Sequence, residues 1–225
     1  MNKSSSGLTI HSIDAVAADA EFAAAEWSAS PIADIASIRP ESSDFRPTVK
    51  VRTACDGRNL ALRYRVEDAY IQAHAAKMND PVCFDSCVEF FVRPGGGTGY
   101  INFECSINGV MLASHIRDHR RTAAGFADFT LLTPDDVREV KIFPAFTGRI
   151  APEIRGPLTW EMGISLPVAM ICRITGAPMP GSGSVWHGNF YKCADHSSHP
   201  HWLSWQPVPE LNFHEPAAFG ELVFE

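Results

Sequence analysis

Residues 79–94, NDPVCFDSCVEFFVRP, run from a polar turn into a strand that has no water face. Across 86–93 the alternation puts Val88, Phe90 and Val92 on one side and Cys87, Glu89 and Phe91 on the other. A strand of this kind has to be covered on both sides, which leaves Glu89 as a carboxylate among apolar neighbours, a costly position unless it is hydrogen-bonded or paired. One reading makes Glu89 a structural group satisfied by a backbone amide or an Arg; the other makes it the polar anchor of a recess. Asn79, Asp80 and Pro81 are turn formers and Asp85 precedes the strand, so the recess belongs at that end.

The rest of the chain reads in the same β style. Residues 15–26 are Ala-rich and helix-favouring but offer little to bury, so 1–26 is taken as a lead-in and 27–225 as a single domain. A hairpin follows, with 48–55 alternating, Asp56-Gly57-Arg58-Asn59 as its turn, and Leu60, Leu62, Tyr64 and Val66 sharing one face. Residues 68–78 read as a short helix or an irregular connection. Gly95, Gly96 and Gly97 turn the central strand into 100–107, because they lack the Lys-Ser/Thr of a phosphate-binding loop. Asn108-Gly109 closes a tight turn into 110–114. Further strands are expected at 139–143, 158–166, 185–193 and in the tail FGELVFE, with 167–173 helical. Many short strands, frequent Pro and Gly, and one or two short helices predict an all-β fold, a β-sandwich of jelly-roll or immunoglobulin-like type.

Composition limits the function classes. A formal charge of −7 argues against a phosphate-backbone partner, so nucleic acid is not expected. No apolar run approaches the ~20 residues of a membrane span, so no membrane partner is expected either. The N-terminus MNKSSSGLTIHSID has no apolar leader, which predicts a cytoplasmic protein as written; a truncated N-terminus would mean secretion or the periplasm. The six cysteines, Cys55, Cys83, Cys87, Cys105, Cys172 and Cys193, are spread through a long chain and are expected as free thiols, a Cys87–Cys105 bridge being the alternative for an oxidising compartment. Cys83 and Cys87 lack CxxC spacing, and no second close pair completes a four-ligand zinc site. His196, His199 and His201 lack carboxylate or Cys partners at fixed spacing, which favours a structural or ligand-edge loop over a metal site.

The segments FDSCVEFFVRP, YINFECSINGVML, LTWEMGISLP, WHGNFYKC, PHWLSW and NFHEPAAFGELVF resemble, in that order, the family 9-like carbohydrate-binding proteins, over roughly 27–225. The resemblance implies a β-sandwich related to the DOMON group and non-catalytic binding of an oligosaccharide or polysaccharide end of xylan or glucan type, beside a glycoside hydrolase. It matches Glu89 to an acid that hydrogen-bonds sugar hydroxyls and Phe213 to one of two sugar-stacking tryptophans. The second stacking position falls at Cys83, with Phe84 beside it, and Glu104 stands where an Arg is expected. Trp186, Trp202 and Trp205 offer a substitute platform, since sugar faces pack on aromatic rings while carboxylates and amides take the hydroxyls.

The candidate carbohydrate-binding residues are therefore Phe84, Asp85, Glu89, Asn102, Glu104, Asn189, Trp202, Trp205 and Phe213, with no catalytic residue. The resemblance also implies a structural calcium, for which Asp80 and Asp85 are oxygen donors near a turn. Two other classes stay open. A glycoside hydrolase would draw two carboxylates from Asp85, Glu89 and Glu104. A haem-binding or redox domain of DOMON type would draw on Met78, Met111, Met162 and the histidines.

Overall fold

The structure, a computed structural model, describes residues 7–14, 17–123 and 125–225. Strand β1 (Leu8–Ser12) is followed by the short β2 (Ile32–Asp34) and β3 (Ser37–Ile38), then by the hairpin of β4 (Thr48–Cys55) and β5 (Asn59–Ala73). Strands β6 (Cys87–Arg93), β7 (Tyr100–Ser106), β8 (Met111–Thr122) and β9 (Gly125–Leu131) form an antiparallel meander. After β10 (Lys141–Phe143), the long β11 (Ile150–Pro167) runs directly into helix α1 (Val168–Thr175). Strands β12 (Val185–Cys193), β13 (Trp202–Ser204) and β14 (Gly220–Phe224) complete the chain.

The main strands follow one hydrogen-bonded path, β10-β11-β5-β4-β1-β14-β12-β6-β7-β8-β9. The path changes layer at β1, whose Leu8–Ile10 pair in parallel with β14 while His11 and Ser12 pair in parallel with β4. The result is a mostly β fold of sandwich type, as the turn-punctuated alternation predicts. The front layer is β14-β12-β6-β7-β8-β9 and the back layer is β10-β11-β5-β4. Phe90, Phe103 and Phe190 from the front and Leu62, Tyr64 and Ile164 from the back belong to one apolar core. The Tyr64 hydroxyl donates to the Glu89 backbone carbonyl across that core at 2.9 Å. Both faces of β6 are buried from Cys87 to Val92.

The lead-in segment and residues 68–73 differ from the sequence reading, as do β9 and the continuation of β8 to Thr122, which it did not contain. The segment read as a lead-in supplies β1, which joins the two layers; residues 1–6, 15 and 16 lie outside the described residues. From Ala17 it runs as turns and a 3-10 turn at Ala25–Trp27 that buries Trp27. Residues 68–73 continue β5 and pair with β11 instead of forming a helix or an irregular link. Asp68 lies within this strand, and its ion partner is remote in sequence. Lys192, from β12, is buried between the layers, with Nζ 3.7 Å from Asp68 Oδ2, 2.8 Å from His201 Nε2 and donating to the Cys193 carbonyl at 3.0 Å. The Trp160 indole donates to the same Asp68 oxygen at 3.2 Å. Burial works to raise the Asp68 pKa, but Lys192, His201 and these hydrogen bonds outweigh it and hold the carboxyl below its usual range.

This buried pair ties the front layer to the back layer. Lys192→Met should leave Asp68 charged and unpaired, lowering stability by about 3–5 kcal/mol in denaturant melts. The double variant Asp68→Asn/Lys192→Met should recover much of that loss, and simple addition of the two single losses would show that the residues do not interact.

Candidate functional site

Register assembles the site. In an antiparallel pair, directly opposed residues point to the same face. Tyr191, Glu89, Glu104 and Leu112 form one row across β12, β6, β7 and β8. Asn189, Phe91, Asn102, Ser114 and Leu131 form the next, reaching β9. Both rows lie on the outer side of the front layer, away from the main core. The C-terminal loop covers part of this face: Phe213 stacks on Tyr191 at 4.2 Å and 15°, and Val208 and Phe219 pack against Phe91 and Tyr100. What is left open is a pocket of about 550 Å³, with Glu89, Asn102, Glu104 and Cys193 among its floor residues and Trp202, Phe126, Phe129 and Phe213 among its walls.

The floor is polar and nearly dry. Glu89 is 2% exposed and Glu104 7%. The Cys193 thiol donates to Glu89 Oε1 at 3.0 Å. Asn102 Nδ2 donates to Glu104 Oε1 at 2.6 Å while its Oδ1 accepts from the Ser114 amide at 2.9 Å, which fixes the orientation of the side chain. Burial, followed by the facing Glu104, pushes the Glu89 carboxyl well above its usual range. Burial also raises Glu104 to about 7, with Asp195 adding to the shift and the Asn102 hydrogen bond and Arg121 opposing it. Two carboxyls side by side in a low-dielectric floor do not both ionise near neutral pH, so the pair retains a proton. The floor can therefore both donate and accept hydrogen bonds.

The rim adds groups that the sequence reading did not single out. Asp195 accepts from the Trp202 indole at 2.7 Å and so sets the ring's orientation; burial raises its carboxyl pKa despite that bond. Arg121 lies 4.1 Å above the Phe126 ring. His214 Nδ1 is 2.9 Å from the Tyr100 hydroxyl, and burial, with Arg121 and His119, lowers the imidazole to about 3, so it stays neutral. Asp195 was readable in principle, because it lies two residues beyond Cys193 on the alternation of β12. Phe126 and Phe129 had no such signal, since β9 alternates weakly and is largely exposed.

Of the nine predicted residues, Glu89, Asn102, Glu104, Trp202 and Phe213 line this pocket. Four do not. Phe84 stacks on His196 at 3.8 Å, and it is Cys83 that faces the pocket. Asp85 is a buried structural acceptor for the His74 and Ala75 amides and the Ser106 hydroxyl, at 2.8, 3.1 and 2.7 Å. Asn189 shares the outer face but is tied to the backbone of Gln206, accepting from its amide and donating to its carbonyl, each at 2.9 Å. Trp205 packs on Phe190 and the main core, and Trp186 is buried against Phe224.

The remaining candidates are also accounted for. Asp80 Oδ2 accepts from the Ala76 and Lys77 amides, and both Asp85 oxygens accept hydrogen bonds. His199 stacks on Tyr70 at 3.7 Å and His201 contacts Lys192, so the histidine-rich loop is held by its own packing. Met111 and Met162 are in the core, and Met78 packs against it, so none of the three offers an axial ligand at the pocket. The cysteines are free in the structure. Cys105 faces the main core while Cys87 faces Cys193 on the opposite side of the layer, so Cys87 and Cys105 are not a bridgeable pair.

The sequence model for carbohydrate-binding family 9 matches residues 21–224. The chain belongs to that family. Family 9 proteins are non-catalytic carbohydrate binders, which sets aside the hydrolase reading. The crystal structure of a candidate carbohydrate-binding protein from Bacteroides uniformis ATCC 8492 is 30% identical, with a TM-score of 0.79, covering 98% of this chain and all of its own. Two solved structures of a family 9 carbohydrate-binding module from Caldicellulosiruptor kristjanssonii share the fold at 10% and 12% identity. The one solved with glucose has a TM-score of 0.61 and covers 98% of this chain and 96% of its own. The one solved with cellotriose has a TM-score of 0.60 and covers 98% and 94%. No curated protein matches the chain.

The carboxyl pair has a consequence for stability. Its folded pKa values are raised, so from the ordinary glutamate value of 4.5 up to about 7 the folded chain keeps protons that the unfolded chain has released. Stability should therefore fall as pH rises through that window and be unaffected by this pair below it. Glu104→Gln should flatten the dependence in thermal melts from about pH 4 to about pH 8, and be more stable than the parent by on the order of 2 kcal/mol at the upper end. Parallel curves for the two proteins would mean that the pair ionises normally.

Proposed function

We propose that the outer-face pocket binds the end of a sugar chain of glucan or xylan type. The observation that carries this reading is the pairing, in one pocket of about 550 Å³, of a floor of two buried carboxyl groups with a wall of aromatic rings. Sugars present both hydroxyls and flat C–H faces, and these two surfaces match them separately. The volume is within the ~300–1,000 Å³ typical of small-ligand sites. The sheet closes the pocket from below, which supports entry by a chain end over passage of a chain along the surface. In this arrangement Glu104 and Asn102 take hydroxyls, a proton on the carboxyl pair allows the floor to donate, and Trp202, held by Asp195, packs on a ring face. The glucose and cellotriose complexes of the C. kristjanssonii module make glucan ends the first ligands to test. A binder of this kind would act beside a glycoside hydrolase, bringing it to the polysaccharide.

Calorimetric titration with glucose, cellotriose and xylotriose is the direct experiment. A saturable signal should appear with at least one of them and weaken about tenfold or more in Trp202→Ala and Glu104→Ala, a loss of ~1.4 kcal/mol or more. The same sugars should be recovered intact after prolonged incubation. Absence of binding across the set, or parental affinity in both variants, would overturn the proposal.

A further inference from the structure

Beneath the sugar pocket is a second donor set. Cys87 and Cys193 are directly opposed on β6 and β12, and Glu89 is two residues along β6 on the same face. One ligand atom from each of the three, the two Sγ and a Glu89 carboxyl oxygen, lies within 4.8 Å of the others, and all three residues are buried. Tetrahedral zinc, with Zn–S of ~2.3 Å and Zn–O of ~2.0–2.2 Å, places its ligand atoms roughly 3.5–3.8 Å apart, so small side-chain rotations would seat an ion here. Glu89 supplies a separate reason to look for one. Among the described residues its carboxyl accepts a single hydrogen bond, from the Cys193 thiol at 3.0 Å, and a thiol is a weak donor for a fully buried carboxyl. Asp68 and Asp85 each accept more, and Glu104, the other buried carboxyl of the floor, accepts its one bond from an amide, a stronger donor than a thiol.

We propose that Cys87, Cys193 and Glu89 form a binding site for a thiophilic divalent cation of the zinc type at the floor of the pocket. Two sulfurs and one carboxylate are a ligand set that zinc accepts. Glu89 and Cys193 also line the open pocket, which leaves the fourth position facing solvent or a ligand hydroxyl. Binding replaces the two thiol protons and any carboxyl proton with the cation and releases them to solvent, with no change in oxidation state. The register reveals the site; the spacing of Cys83 and Cys87 does not, because the second sulfur comes from a strand distant in sequence.

The test uses the whole chain, reduced and stripped of metal, titrated with zinc against a chromophoric chelator and, in parallel, with cobalt(II). About one ion per chain should bind, and cobalt should produce thiolate-to-metal charge-transfer absorption. Cys193→Ser and Cys87→Ser should each lower zinc affinity by at least about a hundredfold and abolish that absorption. Cys55→Ser and Cys172→Ser should bind as the parent does. Glu89→Gln retains both sulfurs and the side-chain volume, so it should keep the absorption while losing affinity, which covers the case in which a cysteine variant fails to fold. Failure of the parent to compete with the chelator, or unchanged affinity in folded Cys193→Ser, would overturn the proposal. Because the readout is the metal itself, the result does not depend on whether any sugar binds.

Discussion

The architecture depends on β6 being covered on both faces. Its inner face meets the back layer through Phe90 and the Tyr64 hydroxyl, and its outer face lies beneath the C-terminal loop and the β8–β9 hairpin. A strand that keeps no water face also keeps no easy place for charge. Glu89 and Glu104 are opposed there, and the same burial that makes them costly makes them useful, because a desolvated carboxyl is a strong hydrogen-bonding group for a ligand that fills the space above it. The Lys192–Asp68 pair answers the same problem on the inner side, where two opposite charges buried between the layers satisfy each other.

Much of the fold was legible because alternation is a local property. The strand read at 48–55 is β4, and the one read at 185–193 is β12. The turn at Asn108-Gly109 forms with Gly109 at φ 89°, a conformation that favours glycine. What could not be read was non-local. The continuation of β5 through Asp68 was read as a helix or an irregular link because the charge is satisfied by Lys192 of β12, and β1 was read as part of a lead-in because the two strands it joins are both remote in sequence.

The site divided along the same line. Glu89 was recognisable as a carboxylate on a strand with no water face, Glu104 entered through the family resemblance, and the register then placed them side by side. Asp85 carried a similar signal for a different reason: it is a buried acceptor that fixes the turn before β6. Trp205 and Asn189 show that residue type does not reveal whether a group is open to the pocket or engaged by the core or a neighbouring backbone. Phe126, Phe129 and Arg121 were missed because they belong to an exposed hairpin whose role comes only from folding over the pocket.

The proposed role of the opposed carboxyls as the ligand-contacting floor is open to one direct measurement. Carbon-13 NMR titration of the glutamate side-chain carboxyls in the metal-free protein, with and without cellotriose, is that measurement. Two carboxyl resonances should titrate as a coupled pair, one of them near pH 7, and both should shift when sugar is added. Carboxyls that all titrate near the ordinary glutamate value and do not respond to sugar would contradict it.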